Sequence, residues 1–412
     1  MYLNIMMSYI KKNIKAILLS NHWIDYLIFY LIFFLRKKIF RIKAVVYRID
    51  NILNYNKNII TILKQKEVFL SVGPKTIEEK PICKKVNLEA LCLYKFDDAI
   101  VNARSSYIVY KNRLLTESKF SNERFNEGYI MFHGFKNAII KENDIIDLEE
   151  AFFLGGNGCW NWYHFLIEII SKLIFKDEIP TKHIVFSNDI LKHESMCKVV
   201  AMLLGNDYKI TYLDVDKNYR IKRLYYINSI SYVPFNLKDN YKPFGIEDVY
   251  MHSDILVELK NKLVGHLEIK DLNSPKKIFI KRKKYRLAKN QDNLIEILKK
   301  HGFIDIFFED LKLQEQMKII YNAEFVIGVT GAAWANIMFA NKNLKAICFM
   351  QDNFTTFSCY SNLANIFNVD LNYFFYHLGY TVNEHHKSGY ELDINKIESI
   401  YLKMQNAKFK NN

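Results

Sequence analysis

Two stretches of this 412-residue chain combine residue types that can do chemistry. In the first, Lys281, Arg282, Lys283, Lys284 and Arg286 follow the short apolar run Lys277–Ile280, and about 40 residues later Phe325–Asn336 reads as a strand, a small-residue turn and a helix start. Such a turn leaves unpaired backbone N–H groups at the helix N-terminus, where they can hold an anionic phosphate. In an open α/β sheet, ligands bind beyond the carboxyl ends of the strands. The cations and the glycine turn are therefore expected to converge on one crevice, and a nucleotide diphosphate suits it.

The second stretch is Gly155–Leu173, a glycine-rich turn running into a helix. Asn161, His164, Glu168 and Ser171 fall at i, i+3, i+7 and i+10, while Trp162, Phe165, Leu166, Ile169, Ile170 and Leu173 cover the other side. One reading is an ordinary amphipathic helix whose His164 and Glu168 form a water-facing i,i+4 pair. The other starts from the aromatic cluster, which implies burial of the helix start. A carboxylate and an imidazole desolvated there would have the perturbed acidity of a general base.

Composition narrows the class. Half the residues are hydrophobic and a quarter charged, as in a globular protein, and the length suits two domains. The net charge is +14, and residues 1–50 hold nine cations against Asp25 and Asp50, half of the excess in an eighth of the chain. No basic face with interleaved aromatics stands out, which argues against nucleic acid as a partner. Six scattered cysteines, with no CxxC pair and no Cys/His cluster at zinc spacing, indicate neither disulfides nor a structural metal and fit a reduced, cytoplasmic setting.

The window Trp23–Leu35 is the most hydrophobic in the chain, but it is shorter than the roughly 20 apolar residues of a spanning helix and contains Asp25. With Arg36, Lys37 and Lys38 it reads either as an anchor lying on the inner face of a membrane or as a buried helix with a solvated basic flank.

Residues 66–155 read as short strands, including a hairpin turning at Lys111 and Asn112. Strand and helix patterns alternate from His183 to Ile227, which suggests a parallel sheet, and Ser231–Gly245, with Pro234 and Pro243, is the best boundary. Beyond it a doubly wound unit is expected, with strands at 277–281, 304–308, 325–329 and 345–349, and helices at 291–301, 311–322, from about 332, and 355–367. A last helix, Ile394–Ala407, is expected to pack across the domain interface. The division is residues 1–50 as a membrane-associating segment, 51–240 as a first α/β domain with the hairpin region, and 241–412 as a Rossmann-like domain that carries the nucleotide crevice.

The order and spacing of these residues resemble glycosyltransferase family 61, known from bacterial capsule gene products and from eukaryotic enzymes that add xylose or N-acetylglucosamine. The resemblance runs over about residues 90–350. It comprises the hairpin, the Asn161–His164 run with Glu168, and then Arg282, Arg286, Asn290, Gly302, Phe303, Glu309, Leu311, Gln316, Ala323, Gly328, Gly331, Ala332, Asn336 and Phe339. Gln291 stands where an acid usually follows the Asn, and Thr330 where a His commonly precedes Gly-Ala.

The resemblance implies an α/β protein of GT-B-like architecture, with two Rossmann-like domains facing a cleft. It also implies inversion at the anomeric carbon without an obligatory metal or cofactor. Asp214 and Asp216 have metal-site spacing but lie in the first half, where they read as a surface turn.

Joined to the residue reading, the expectation is direct displacement. Glu168 is the first choice of base and His164 the second. Arg282, Arg286 and the N–H groups around Gly331, Ala332 and Ala333 would receive the leaving diphosphate. Asn290, Glu309, Gln316, Thr330 and Asn336 are expected on the donor side, and Asn157, Asn161 and Tyr163 on the acceptor side. The partners expected are a nucleotide sugar, a UDP-sugar first, and a glycan or lipid-linked glycan of a surface polysaccharide at the inner membrane. The rival expectation is a non-catalytic, membrane-peripheral subunit of a polysaccharide assembly complex.

Overall fold

A computed structural model describes Leu31, Phe34 and residues 44–117, 130–133, 137–233, 245–265, 273–283, 285–341, 343–377 and 389–407. The apolar window 23–35, the cations at 36–38 and most of the expected boundary at 231–245 thus lie outside the described residues, apart from Leu31 and Phe34 within the window. Among the described residues no helix is long and apolar enough to cross a membrane.

The first half is built on an 11-stranded mixed sheet. One part is parallel, as the β-α alternation implied: Lys209–Leu213, His183–Ser187, Ile145–Phe153 and Asn218–Ile227 lie side by side. The sheet is mixed because Leu91–Val101, from the short-strand region, pairs antiparallel with Asn218–Ile227 and continues it into meander-type strands. The hairpin turns where its sequence places it, with Tyr110 opposite Arg113 and both Lys111 and Asn112 at positive φ (48° and 56°). That is the mirror-image turn whose twist matches paired strands.

The second half holds a five-stranded parallel sheet. Taken in chain order as Lys277–Ile280, Ile304–Ile306, Phe325–Val329, Lys345–Gln351 and Asp370–Tyr376, its strands lie 2-1-3-4-5 across the sheet. The fifth strand is one that the sequence reading left out. This order reverses direction between the first and third strands, and such a switch point opens a crevice beyond the carboxyl ends of both. Arg282 follows the first of these strands and Thr330 and Gly331 follow the third.

Side chains alternate between the two faces of this sheet and enter different cores. Ile278, Ile280, Val326, Cys348 and Tyr373 join a large cluster that also contains Leu166, Ile170 and Val199 of the first half. Phe279, Ile327, Phe349 and Phe374 join a smaller cluster with the helix Ile394–Asn406. The two halves therefore share one apolar core. The last helix buries Ile397, Ile400, Tyr401 and Met404, the face its periodicity marks, but against the second half's own sheet and not across the interface.

Candidate active site

Between the halves lies a cavity of about 570 Å³. Asn161, Trp162, His193 and Ser195 contribute from the first half, and Arg282, Glu309, Gln316, Ala332, Ala333 and Asn336 from the second.

At the switch point two guanidiniums meet one carbonyl. Arg282 Nη2 and Arg286 Nη1 each donate to Thr330 O at 2.8 Å, and Arg282 Nε is buried without a hydrogen-bond partner. Burial and then the neighbouring Arg286 charge hold the Arg282 pKa below its usual value, though an arginine stays charged. Two guanidiniums gathered on one neutral acceptor, with an orphaned Arg282 N–H, make a positive site that suits a phosphate. The bend at Gly331 makes the approach possible, because a Cβ there would overlap the Arg282 guanidinium. The 3-10 helix Ala332–Phe339 begins at the same point, with Ala332 and Ala333 on the cavity wall.

Gln291 explains how the Arg282 loop is held. Its Oε1 accepts the Arg282 N–H at 3.1 Å and its Nε2 donates to Arg282 O at 3.3 Å. A carboxylate could make only the first of these bonds, so the amide that departs from the resembled pattern does two jobs here. Thr330 departs differently. Its hydroxyl points inward and donates to Tyr360 Oη at 3.2 Å, and it is its carbonyl that faces the cations.

The helix start at Trp162 is not the continuous α-helix that its periodicity suggests. One α-turn, Trp162–His164, runs into a π-turn, Phe165–Ile169, and then a 3-10 segment, Ile170–Glu178. A π-turn inserts extra backbone at one place and is common at functional sites. Here it keeps His164 and Glu168 in contact: His164 Nδ1 meets Glu168 Oε2, while Glu168 Oε1 accepts the Val233 N–H at 2.8 Å. The water-facing version of this pair is ruled out, since the Glu168 side chain is 0% exposed and that of His164 10%. Neither residue lines the large cavity; Asn161 and Trp162, one turn earlier, do.

Other residues from the sequence reading hold the two halves together. Trp162 Nε1 donates to Asn336 Oδ1 at 2.9 Å, Asn336 Nδ2 to Gln316 Oε1 at 3.2 Å, and Gln316 Nε2 to Ser195 Oγ at 3.4 Å. Tyr163 Oη donates to Cys359 O at 3.0 Å. The Asn161 side chain caps the turn, accepting from Tyr163 N at 2.9 Å.

Two expected site residues are engaged elsewhere. Asn290 pairs through both ends of its amide with the Leu392 backbone, and Asn157 lies in the buried turn that Ser106 Oγ ties down at 2.6 Å. Trp160, 48% exposed on the cavity rim, and His193, Ser195 and Phe308 are lining residues that the sequence reading did not single out. An exposed tryptophan after a glycine turn was the one signal available for them.

One described cluster has metal-ligand types, Glu67, His252 and Asp254, with donor atoms within 4.8 Å of one another. The Lys64 ammonium already sits on it, 2.8 Å from Glu67 and 2.5 Å from Asp254, and occupies both carboxylates. Asp214 and Asp216 form a local turn, Asp216 N donating to Asp214 Oδ1 at 2.9 Å, with Arg104 on Asp216.

Residues 162–347, a little under half of the chain, match the family model described as Glycosyltransferase 61. The matched span begins at Trp162 and takes in His164, Glu168, Arg282, Arg286 and the Gly331 bend; the hairpin lies outside it. No curated protein is similar enough to the chain to count as a match.

Proposed function

We propose that this protein is an inverting glycosyltransferase that moves a sugar from a nucleotide-sugar donor to a hydroxyl of a glycan. The family match supports glycosyltransferase activity in general. The observation that carries the finer reading is the pair of guanidiniums on Thr330 O beside the Gly331 bend, at a switch-point crevice open to a cavity of nucleotide size.

In this reading the diphosphate takes the place opposite Arg282 and Arg286 and the first N–H groups of Ala332–Phe339, which receive the charge that develops as it leaves. His164 is the base and Glu168 the group that orients it. Glu168 has no exposure and cannot touch a substrate where it stands, whereas His164 keeps a small accessible area. With Nδ1–H donated to the carboxylate, the basic lone pair is on Nε2, the geometry of an imidazole base held by an acid. His164 takes the acceptor hydroxyl proton, the oxygen bonds to the anomeric carbon, and the bond to the diphosphate breaks with its electron pair. The donor is a UDP-sugar, the acceptor part of a surface polysaccharide, and the basic N-terminal stretch keeps the protein at the membrane face.

Incubation with UDP-, GDP- and CMP-sugars followed by mass spectrometry tests the reading, which expects donor turnover that Arg282→Ala removes. Because neither His164 nor Glu168 lines the cavity, a binding subunit without turnover is the second reading. Tight nucleotide binding with no turnover of any donor would favour it.

A further inference from the structure

We infer that a second, smaller cavity is a subsite for one uncharged sugar ring of the acceptor glycan, an inference that rests on the transferase reading. It has a volume of about 230 Å³ and shares no lining residue with the large cavity. That is below the roughly 300–1,000 Å³ of sites for drug-sized ligands, so it suits a single ring and not a nucleotide. It lies between the hairpin Glu67–Val72 and Cys83–Leu88 and the strand pair Ser231–Tyr232 and Tyr250–Met251, on residues that all precede the five-stranded sheet.

Its chemistry is opposite to that of the cavity at the switch point. The lining includes Glu117, Glu247 and Asp248, with Glu89 paired to Lys66 at 2.6 Å, and neither Lys nor Arg lines it, in a chain of net charge +14. A phosphate or a uronic acid would be repelled.

Two of these carboxylates are fixed by neutral donors. Glu117 accepts the Tyr226 hydroxyl and, at 2.7 Å, the Ser229 N–H, and Asp248 accepts the Gly245 N–H at 2.8 Å. A carboxylate held this way retains acceptor capacity for further O–H donors, which a sugar ring supplies in pairs. Tyr232 and Tyr250 stack at 5.9 Å and 21°, giving the cavity aromatic surface of the kind that takes the C–H face of a ring while the phenol tip stays polar.

The position links this cavity to the proposed base. Val233, the residue after Tyr232, is the one whose N–H holds Glu168. A sugar seated against Tyr232 is therefore one residue along the chain from the N–H that holds Glu168.

The test measures binding to the full chain of maltotriose, cellotriose and chitotriose as neutral probes, trigalacturonate as an anionic one and spermidine as a cationic one, with UDP titrated separately. The expected result is that at least one neutral trisaccharide binds and trigalacturonate does not. Tyr250→Ala and Glu247→Gln should each weaken that binding tenfold or more while UDP affinity stays within twofold. No binding of any neutral probe, binding of spermidine alone, or an unchanged affinity in both variants overturns the inference. The UDP arm keeps the outcomes apart, because failure of UDP to bind the unaltered protein counts against the transferase reading and not against this cavity.

Discussion

Trp162 and Asn336, 174 positions apart in the chain, are joined by an indole N–H donated to an amide oxygen at 2.9 Å. The same asparagine donates onward to Gln316, so one buried side chain ties the Trp162–His164 turn to the wall of the large cavity.

Asn336→Ala orphans both the Trp162 N–H and the Gln316 carbonyl oxygen. Leaving such buried groups unpaired costs about 1–3 kcal/mol. A thermal melt should show the loss as a clear fall in Tm, and a Tm equal to that of the unaltered protein would show that the bridge is dispensable.

Gly331→Ala is expected to act on one group. The added methyl overlaps the Arg282 guanidinium and must push it from Thr330 O. UDP affinity should fall about tenfold or more, equivalent to roughly 1.4 kcal/mol, with little change in far-ultraviolet circular dichroism. Unaltered UDP affinity would remove Arg282 from the diphosphate site.

For the buried pair, Glu168→Gln separates catalysis from folding. The glutamine oxygen can still accept the Val233 N–H, but its amide faces His164 Nδ1 with a donor and drives the proton to Nε2, the wrong tautomer for a base. Transfer should drop by roughly 10²- to 10⁴-fold with the Tm held. Glu168→Ala should in addition lose about 1–3 kcal/mol of stability by orphaning the Val233 N–H. A Glu168→Gln protein with full turnover would take both residues out of the mechanism.

Stability should fall in mild acid. His252 is buried and held at Nδ1 by Glu67 at 2.6 Å, with Lys64 and Asp254 beside it, and burial pushes its pKa down. Burial lowers His183 as well. The unfolded chain titrates its histidines near 6.5, so below that pH it binds protons that the folded protein refuses. The stabilisation is complete above about pH 6.5 and is lost as the pH falls towards the lowered folded values. Melts at pH 7.5 and 5.5 should show the lower Tm at 5.5, with a smaller drop in His252→Asn; equal Tm values would count against buried neutral histidines.

The second half was the more legible part of the sequence, because parallel strands buried on both faces read as continuous apolar runs, and Lys277–Ile280 and Phe325–Val329 are such runs. Asp370–Tyr376 escaped notice since Asp370 and Asn372 break that pattern, although packing on both faces makes it a strand. The register of His164 to Glu168 also misled in form. Four-residue spacing signals one helical face, but a π-turn with both groups buried depends on Val233 and the packed wall around it.

What the chain determines by itself is local: cations after a strand, a turn of small residues, a His and a Glu four apart, and a turn at Lys111 and Asn112. The spacing of neighbours sets these, through backbone sterics and period. Tertiary structure alone decided that both guanidiniums meet at one carbonyl, that Asn290 holds Leu392 and Asn336 holds Trp162, and that one core serves both halves. Those outcomes depend on which distant side chains share a low-dielectric interior, where an unpaired buried donor is costly, and no run of neighbouring residues encodes that.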